Sequence, residues 1–187
     1  MSDLRFLICE KPEHVRMAQA LRYAVYCQEK GWVDPERCES GLEVDEHDEL
    51  ALHFLAVEGA HPVGTSRLLL GDCQHLPAAD YLDLEALGLE DKHLVEVSRL
   101  ATRRTERSSD LRVFLGLTRL MWEWSMDHSK VAWLAIADIP LFRLLERLGM
   151  PVIASAPQVE YLGSTCVPVA FDMVRTGASL RVSYVSG

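Results

Sequence analysis

Three arginines and one run of acids are the residues of this chain that are hardest to read as ordinary surface. Arg22 falls in an apolar-periodic stretch, and Arg67 and Arg99 fall inside the strand-like segments "GTSRLLL" and "EVSRLA". A guanidinium in such a place is costly to bury without partners. Carboxylates are supplied by "GLEVDEHDELALHFLAVEG", Gly41 to Gly59, where Glu43, Asp45, Glu46, Asp48 and Glu49 crowd the first half before a strand-like alternation of apolar residues begins. Asp45, Asp48 and Glu96 are the three carboxylates that match the three arginines. Arginine–carboxylate pairs can be bidentate, which fixes the geometry of a loop as well as neutralising charge. The expectation is an acidic stretch folded back onto a sheet as an ion-pair network that shapes a pocket. The competing reading is a solvated acidic loop, to which Glu46 and Glu49 belong in either case.

The elements that must position these side chains follow from periodicity and punctuation. "RFLICE" reads as a short strand, and "KPEHVRMAQALRYAVYCQ" as a helix opened by Pro12, with Val15, Ala18, Leu21 and Ala24 or Val25 along one face. After an irregular polar segment from Gly31 to Glu49, the strands "ALHFLAVE" and "PVGTSRLLL" are joined by "GAHP" as a hairpin. A second excursion, Gly71 to Lys92, carries a short helix around Leu84 to Leu87. "HLVEVSRLA" is a further strand, and "DLRVFLGLTRLMWEWSMDH" a long helix capped by Asp110. "VAWLAIA" is a strand buried on both faces, followed by the helix "DIPLFRLLERLG", with Asp138 at its cap and Gly149 as its stop. The tail, Pro151 to Val174, suggests two closing strands.

Composition bounds the function classes. The 187 residues, 49% hydrophobic and 25% charged, suit one domain spanning residues 1–187. A net charge of -9 opposes nucleic acid and anionic membranes as main partners. No apolar run is long enough for a spanning helix, so the expectation is a cytoplasmic protein with no integral membrane association. Cys9, Cys27, Cys38, Cys73 and Cys166 are widely spaced and form no metal-ligand pattern, so they read as reduced structural thiols. His47 lies between two acids, but no second histidine at helical spacing completes a metal site. No metal is expected.

Element order and residue pattern together carry a family resemblance. Arg22, Tyr26 and Trp32 in "LRYAVYCQEKGW", Glu43, Asp45 and Asp48 in "EVDEHD", Arg67 in "GTSRLLL", and Glu96 and Arg99 in "EVSRLA" occur in one order, each at the matching strand or loop. The set resembles the GNAT-fold acyltransferases of the autoinducer (acyl-homoserine-lactone) synthase group, with their relatives the long-chain N-acyl amino acid synthases and the exosortase-associated acyltransferases. The likeness covers Leu21 to Ala101 and beyond Arg103 rests on element order. Two positions depart from the autoinducer synthases, Tyr26 where they usually have Phe and Val95 where they often have Trp, and "HFLAVEGAHPVGTSRLLL" looks closer to the amino acid synthases.

The resemblance implies an α/β (α+β) fold, a GNAT-like three-layer sandwich. Its central sheet would be mixed and mostly antiparallel, flanked by helices, with a splayed and bulged fourth strand. Glu96 and Arg99 are three apart and would face opposite sides of a regular strand, so the bulge is expected near Val97 and Ser98. The implied reaction is transfer of a fatty acyl group from an acyl carrier protein thioester, or acyl-CoA, to a small-molecule amine, with no bound cofactor. In it Glu96 takes the proton of the attacking amine or serves only as a counter-ion, while Arg22, Tyr26, Trp32, Asp45, Asp48, Arg67 and Arg99 shape the acceptor pocket. An amino-acid-like acceptor is the first reading. S-adenosylmethionine, giving a quorum-sensing lactone, is the alternative, and a non-catalytic module that binds acyl carrier or acyl ligand is the other.

The donor is read partly from a missing motif. "ATRRTERSSDLRVFLG" lacks the glycine-rich pyrophosphate loop of acetyl-CoA users. It carries instead Arg103, Arg104, Arg107 and Arg112, a basic island that would suit the acidic helix of an acyl carrier protein or would be a solvated turn. Ser98 and Thr102 could bond the pantetheine amides or their own backbone. Phe114, Met121, Trp122, Trp124 and Trp133 read as core, with an acyl-chain tunnel as the functional version.

Overall fold

A computed structural model describes residues 3–89, 93–105 and 109–176. In chain order the elements are β1 (Leu4–Ile8), α1 (Pro12–Arg22), β2 (Ala51–Glu58), β3 (His61–Leu69), β4 (Leu94–Thr102), α2 (Asp110–Asp127), β5 (Ala132–Asp138), α3 (Ile139–Arg147), β6 (Val152–Ser155), β7 (Val159–Tyr161) and β8 (Ser164–Asp172). They fall into two compact units, residues 1–68 with 98–121 and residues 69–97 with 122–187. The unit boundaries cut β4 after Val97 and α2 after Met121.

In the first unit the strands run in the order β1-β2-β3-β4. β1 is antiparallel to β2, with Leu4 opposite Glu58 and Ile8 opposite Phe54. The hairpin between β2 and β3 turns on Gly59 and Ala60, and Gly59 takes the left-handed φ of 62° that such two-residue turns demand. α1 begins at Pro12, whose fixed φ suits a first turn, and packs Ala18 against Leu55 and Val57 of β2. The expected helix does not stay α-helical to its end. Tyr23–Glu29 is wound as a π-helix, which brings Val25, Tyr26 and Cys27 into the interior together.

The first half of α2 sits close to the sheet because two glycines leave room for it. A Cβ on Gly116 would collide with the Phe6 ring of β1, and one on Gly64 would collide with Val113 of the helix. The N-terminal cap of α2 is Ser109 rather than the expected Asp110. Its Oγ accepts the Arg112 N–H at 3.3 Å, and Asp110 lies in the first turn, where its charge favours the helix dipole.

In the second unit the order is β4-β5-β8-β6, with β7 also paired to β8. β4 and β5 are parallel and β5 and β8 antiparallel, so the sheet is mixed. The tail holds three strands where two were expected, because Leu162 and Gly163, both with positive φ, close a tight turn between β7 and β8. Asp138 caps α3 as expected, accepting the Leu141 N–H at 2.7 Å, and Gly149 ends it at φ 72°. No helix forms at Leu84–Leu87; the chain there makes turns, in which Asp83 accepts the Ala86 N–H at 3.0 Å. A segment that short has too few bonds to offset helix nucleation. The excursion carries 3-10 turns instead, at Cys73–His75 and Pro77–Tyr81.

The fourth strand departs from regular geometry near the expected place. Its ladder with β5 pairs Leu94, Val95 and Glu96, and the chain continues as strand to Thr102 with Arg99 in the left-handed region at φ 53°. The distortion therefore centres one residue beyond Val97 and Ser98. Among the described residues no helix is long and apolar enough to cross a membrane.

Candidate functional site

The acidic stretch is folded back onto the first unit, and the arginines hold it there. Arg22, the last residue of α1, donates Nε to Glu43 Oε2 at 2.5 Å. Its Nη1 and Nη2 grip Asp48 at 2.9 and 2.7 Å, and Nη2 also donates to the Glu43 carbonyl. Arg67 on β3 forms a two-pronged pair with Asp45 at 2.5 and 2.7 Å and reaches Asp48 Oδ1 at 2.5 Å. Arg99 on β4 donates Nε to Glu43 Oε1 at 2.9 Å and Nη2 to Asp45 Oδ2 at 2.7 Å. Each carboxylate thus touches two arginines, and the three positive and three negative charges balance.

The network is nearly closed to water. The Arg22 and Arg67 side chains are each 1% exposed, and Asp45, at 15%, is the most open member. Burial alone would lower the arginines and raise the acids. The hydrogen bond and charge of Asp48, with the charge of Glu43, reverse this for Arg22, and Glu43 and Asp45 do so for Arg99. Arg67 and Arg99 hold the Asp45 carboxyl well below the usual range, and Arg22 and Arg67 do the same for Asp48. Arg22, Arg99, Asp45 and Asp48 are therefore each favoured in the charged form. Glu46 and Glu49 point outward as expected.

One assignment is corrected by the geometry. The third carboxylate on the arginines is Glu43, not Glu96. Glu96 is 2% exposed and its Oε2 accepts the backbone N–H of Ala78 at 2.8 Å, within the second unit. Glu43 could have been found from sequence, since it leads the same "EVDEHD" run. Glu96 lies on β4 ahead of the left-handed Arg99, whereas the loop before β2 carries Glu43 between Arg22 and Arg99.

The remaining side chains divide by location. Tyr26, on the π-wound turn, donates its hydroxyl to the Leu100 carbonyl at 2.7 Å and packs its ring 5.5 Å from that of Trp32. The Lys30 ammonium lies 5.6 Å from the Trp32 ring centre. His53 on β2, which sequence reasoning passed over, sets Nε2 at 3.2 Å from the Asp48 carbonyl, and burial lowers its imidazole pKa against the opposing pull of Asp48. Ser98 accepts Arg67 Nε at 2.9 Å through its Oγ, so that hydroxyl supports the network. Thr102 is half-buried at the end of β4.

Of the basic island, Arg103 pairs with Glu29 at 2.7 Å on the surface, Arg104 is exposed, and Arg107 lies outside the described residues. The aromatic set is core in part, with Trp122 and Trp124 half-buried. Phe114, Met121 and Trp133 are buried, Trp133 Nε1 donates to Ser125 at 2.9 Å, and Trp122 Nε1 donates to the Met173 carbonyl at 2.9 Å. Trp124 stacks on His128. Among the described residues no group of three or more His, Cys, Asp or Glu side chains is arranged to hold a metal ion.

Residues 21–117, just over half of the chain, match the family described as "Acetyltransferase (GNAT) domain". The chain belongs to the GNAT acetyltransferase family. That segment contains every member of the ion-pair network, so in this GNAT protein the network is part of the family domain, and the protein is an acyltransferase.

Solved structures agree on the fold of this GNAT chain. The AHL synthase LasI is similar at 20% identity, over 92% of this chain and 91% of that one, with a TM-score of 0.72. BjaI, a CoA-dependent acyl-homoserine lactone synthase solved with SAM and isopentyl-CoA, is similar at 21% identity, over 97% and 87%, with a TM-score of 0.74. FeeM, an N-acyl amino acid synthase from uncultured soil microbes, is similar at 15% identity, over 100% of both chains, with a TM-score of 0.72. Identities this low speak to fold alone. No curated protein gives a significant sequence match.

Proposed function

We propose that this acyltransferase moves a fatty acyl group from a carrier-protein thioester to the amine of an amino-acid-like acceptor, and that the 187 residues act as one catalytic domain. The observation that carries the reading is the closed, charge-balanced network on a GNAT chain. It holds Asp45 at its most open edge and leaves the Tyr26–Trp32 pair on the same unit. In this reading Arg22, Arg67 and Arg99 pin the acidic loop, and Asp45 with Trp32 and Tyr26 forms the acceptor pocket. Glu96 takes the proton that the amine must lose, directly or through one water, since an α-amine with a pKa near ~8 is mostly protonated at neutral pH.

The acceptor class is argued from Lys30. A sulfonium at the Trp32 ring would lie beside the Lys30 ammonium and be repelled, whereas an amino acid carboxylate would be attracted. S-adenosylmethionine is kept as the second reading because BjaI binds SAM in a similar fold. For the donor, Ser98 and Thr102 line the pantetheine path, and Arg103, Arg104 and Arg107 meet the carrier's acidic face, the surface Arg103–Glu29 pair opening to do so.

The test is thiol release and product mass with purified protein, acyl carrier or acyl-CoA thioesters, and amino acids or S-adenosylmethionine as acceptors. An N-acyl amino acid formed preferentially from the carrier-borne donor supports the proposal. A homoserine lactone moves it to the second reading, and saturable donor binding without thiol release makes the protein a binding module. Arg104→Glu should weaken use of the carrier-borne donor and leave acyl-pantetheine turnover unchanged.

A further inference from the structure

Cys27 and Cys38 are two thiols that the proposed reaction does not use and that the fold nevertheless brings together. Cys27 is buried in the π-wound segment after α1, and Cys38 is half-buried just after the 3-10 turn Pro35–Arg37. They are 11 positions apart in sequence, yet their Sγ atoms lie 3.5 Å from each other. A disulfide needs a separation of about 2.05 Å, so the sulfurs must close by about 1.5 Å, a displacement within the reach of side-chain rotation. The Cys166 thiol, by contrast, is aimed at the Tyr161 and Ser164 carbonyls.

We infer that Cys27 and Cys38 form a reversible dithiol–disulfide site, oxidised by exchange with a low-molecular-weight disulfide of the glutathione type. The two positions assign the order of events. Cys38 is the more accessible sulfur, and Cys27 is held protonated: burial, with the Cys38 contact, pushes its thiol up to about 12. The Cys38 thiolate attacks one sulfur of the external disulfide, forming a mixed disulfide and releasing one thiolate. Cys27 then gives up its proton and attacks the Cys38 sulfur, expelling the second thiolate. Two protein thiols become one disulfide, the external disulfide is reduced to two thiols, and the two protons leave with them. The ring that closes spans residues 27–38 and contains Lys30 and Trp32. Oxidation would therefore hold the Trp32 segment against the turn that carries Tyr26.

The experiment incubates the full-length native protein in a buffer of reduced and oxidised glutathione, quenches with acid, alkylates, and maps the peptides by mass spectrometry. The expected result is loss of two of the five alkylatable thiols as a Cys27–Cys38 cross-link that dithiothreitol reverses. Cys27→Ser should leave Cys38 carrying one glutathione, and Cys38→Ser, at the more accessible position, should abolish the cross-link and spare Cys27 from modification. Absence of the cross-link, a stable glutathione adduct on Cys38 of the unaltered protein, or equal reaction at Cys9, Cys73 and Cys166 overturns the inference. The assay reads covalent chemistry alone, so its failure is separate from failure of the acyl-transfer reading.

Discussion

Arg99 reaches Glu43 at 2.9 Å from a backbone held at φ 53°. A left-handed non-glycine residue costs about 1–2 kcal/mol, and here the strained residue is the one whose guanidinium bridges Glu43 and Asp45. Glu43 in turn is shared with Arg22. Removing its charge leaves two buried guanidiniums short of a partner, so Glu43→Gln should destabilise the protein by about 3–5 kcal/mol. Glu46→Gln, at a side chain 84% exposed, should change stability by less than about 0.5 kcal/mol. Urea unfolding of the two variants checks the contrast, and equal effects would argue for a solvated loop.

Asp45 and Arg67 bind each other, and each also binds a second member of the network. Arg67 also binds Asp48, and Asp45 also binds Arg99. Asp45→Asn and Arg67→Ala should therefore be non-additive by about 1–3 kcal/mol in a double-mutant cycle. A sum of the two single effects would mean that the pair is not coupled in solution.

Acid should unlock the same loop. The folded pKa values of Asp45 and Asp48 lie below the unfolded value near ~3.9, so in that interval the unfolded chain binds more protons than the folded one. The stabilisation is fully present above about pH 5 and is lost as pH falls through the depressed folded values. Denaturant midpoints measured from about pH 7 down to about pH 3 should drop steeply at the acid end, and Asp48→Asn should flatten that drop while lowering the neutral-pH value.

Glu96 separates a proton acceptor from a structural carboxylate. Glu96→Gln keeps an oxygen for the Ala78 N–H and removes the base. If Glu96 takes the amine proton, turnover should fall about 10²- to 10⁴-fold with little change in melting temperature. Turnover close to that of the unaltered protein would leave Glu96 as an anchor for the Pro77–Tyr81 turn.

Close packing of α2 can be tested at one hydrogen. Gly116→Ala places a methyl group against the Phe6 ring, which has to move or force the helix away. Overpacking of this kind should cost about 1–3 kcal/mol. Phe6→Leu in the same background should recover part of it, and a double variant no better than Gly116→Ala would point to helix propensity rather than contact.

Several features were legible in the linear chain because their causes are local or compositional. The order of strands and helices followed from apolar periodicity, the start of α1 from Pro12, the cap of α3 from Asp138 and its end from Gly149. That Arg22, Arg67 and Arg99 need carboxylates followed from where they lie in apolar elements, and that Asp45 and Asp48 answer them from the loop that precedes β2. Which carboxylate completes the set was decided by tertiary structure. Glu43 and Glu96 are chemically alike, and only the path of the loop puts Glu43 between Arg22 and Arg99 while the Ala78 N–H takes an oxygen of Glu96. The π-wound turn, the left-handed Arg99 and the meeting of Cys27 with Cys38 are of the same kind. Each is a matter of where the folded chain places its backbone and side chains, which neither spacing nor propensity encodes.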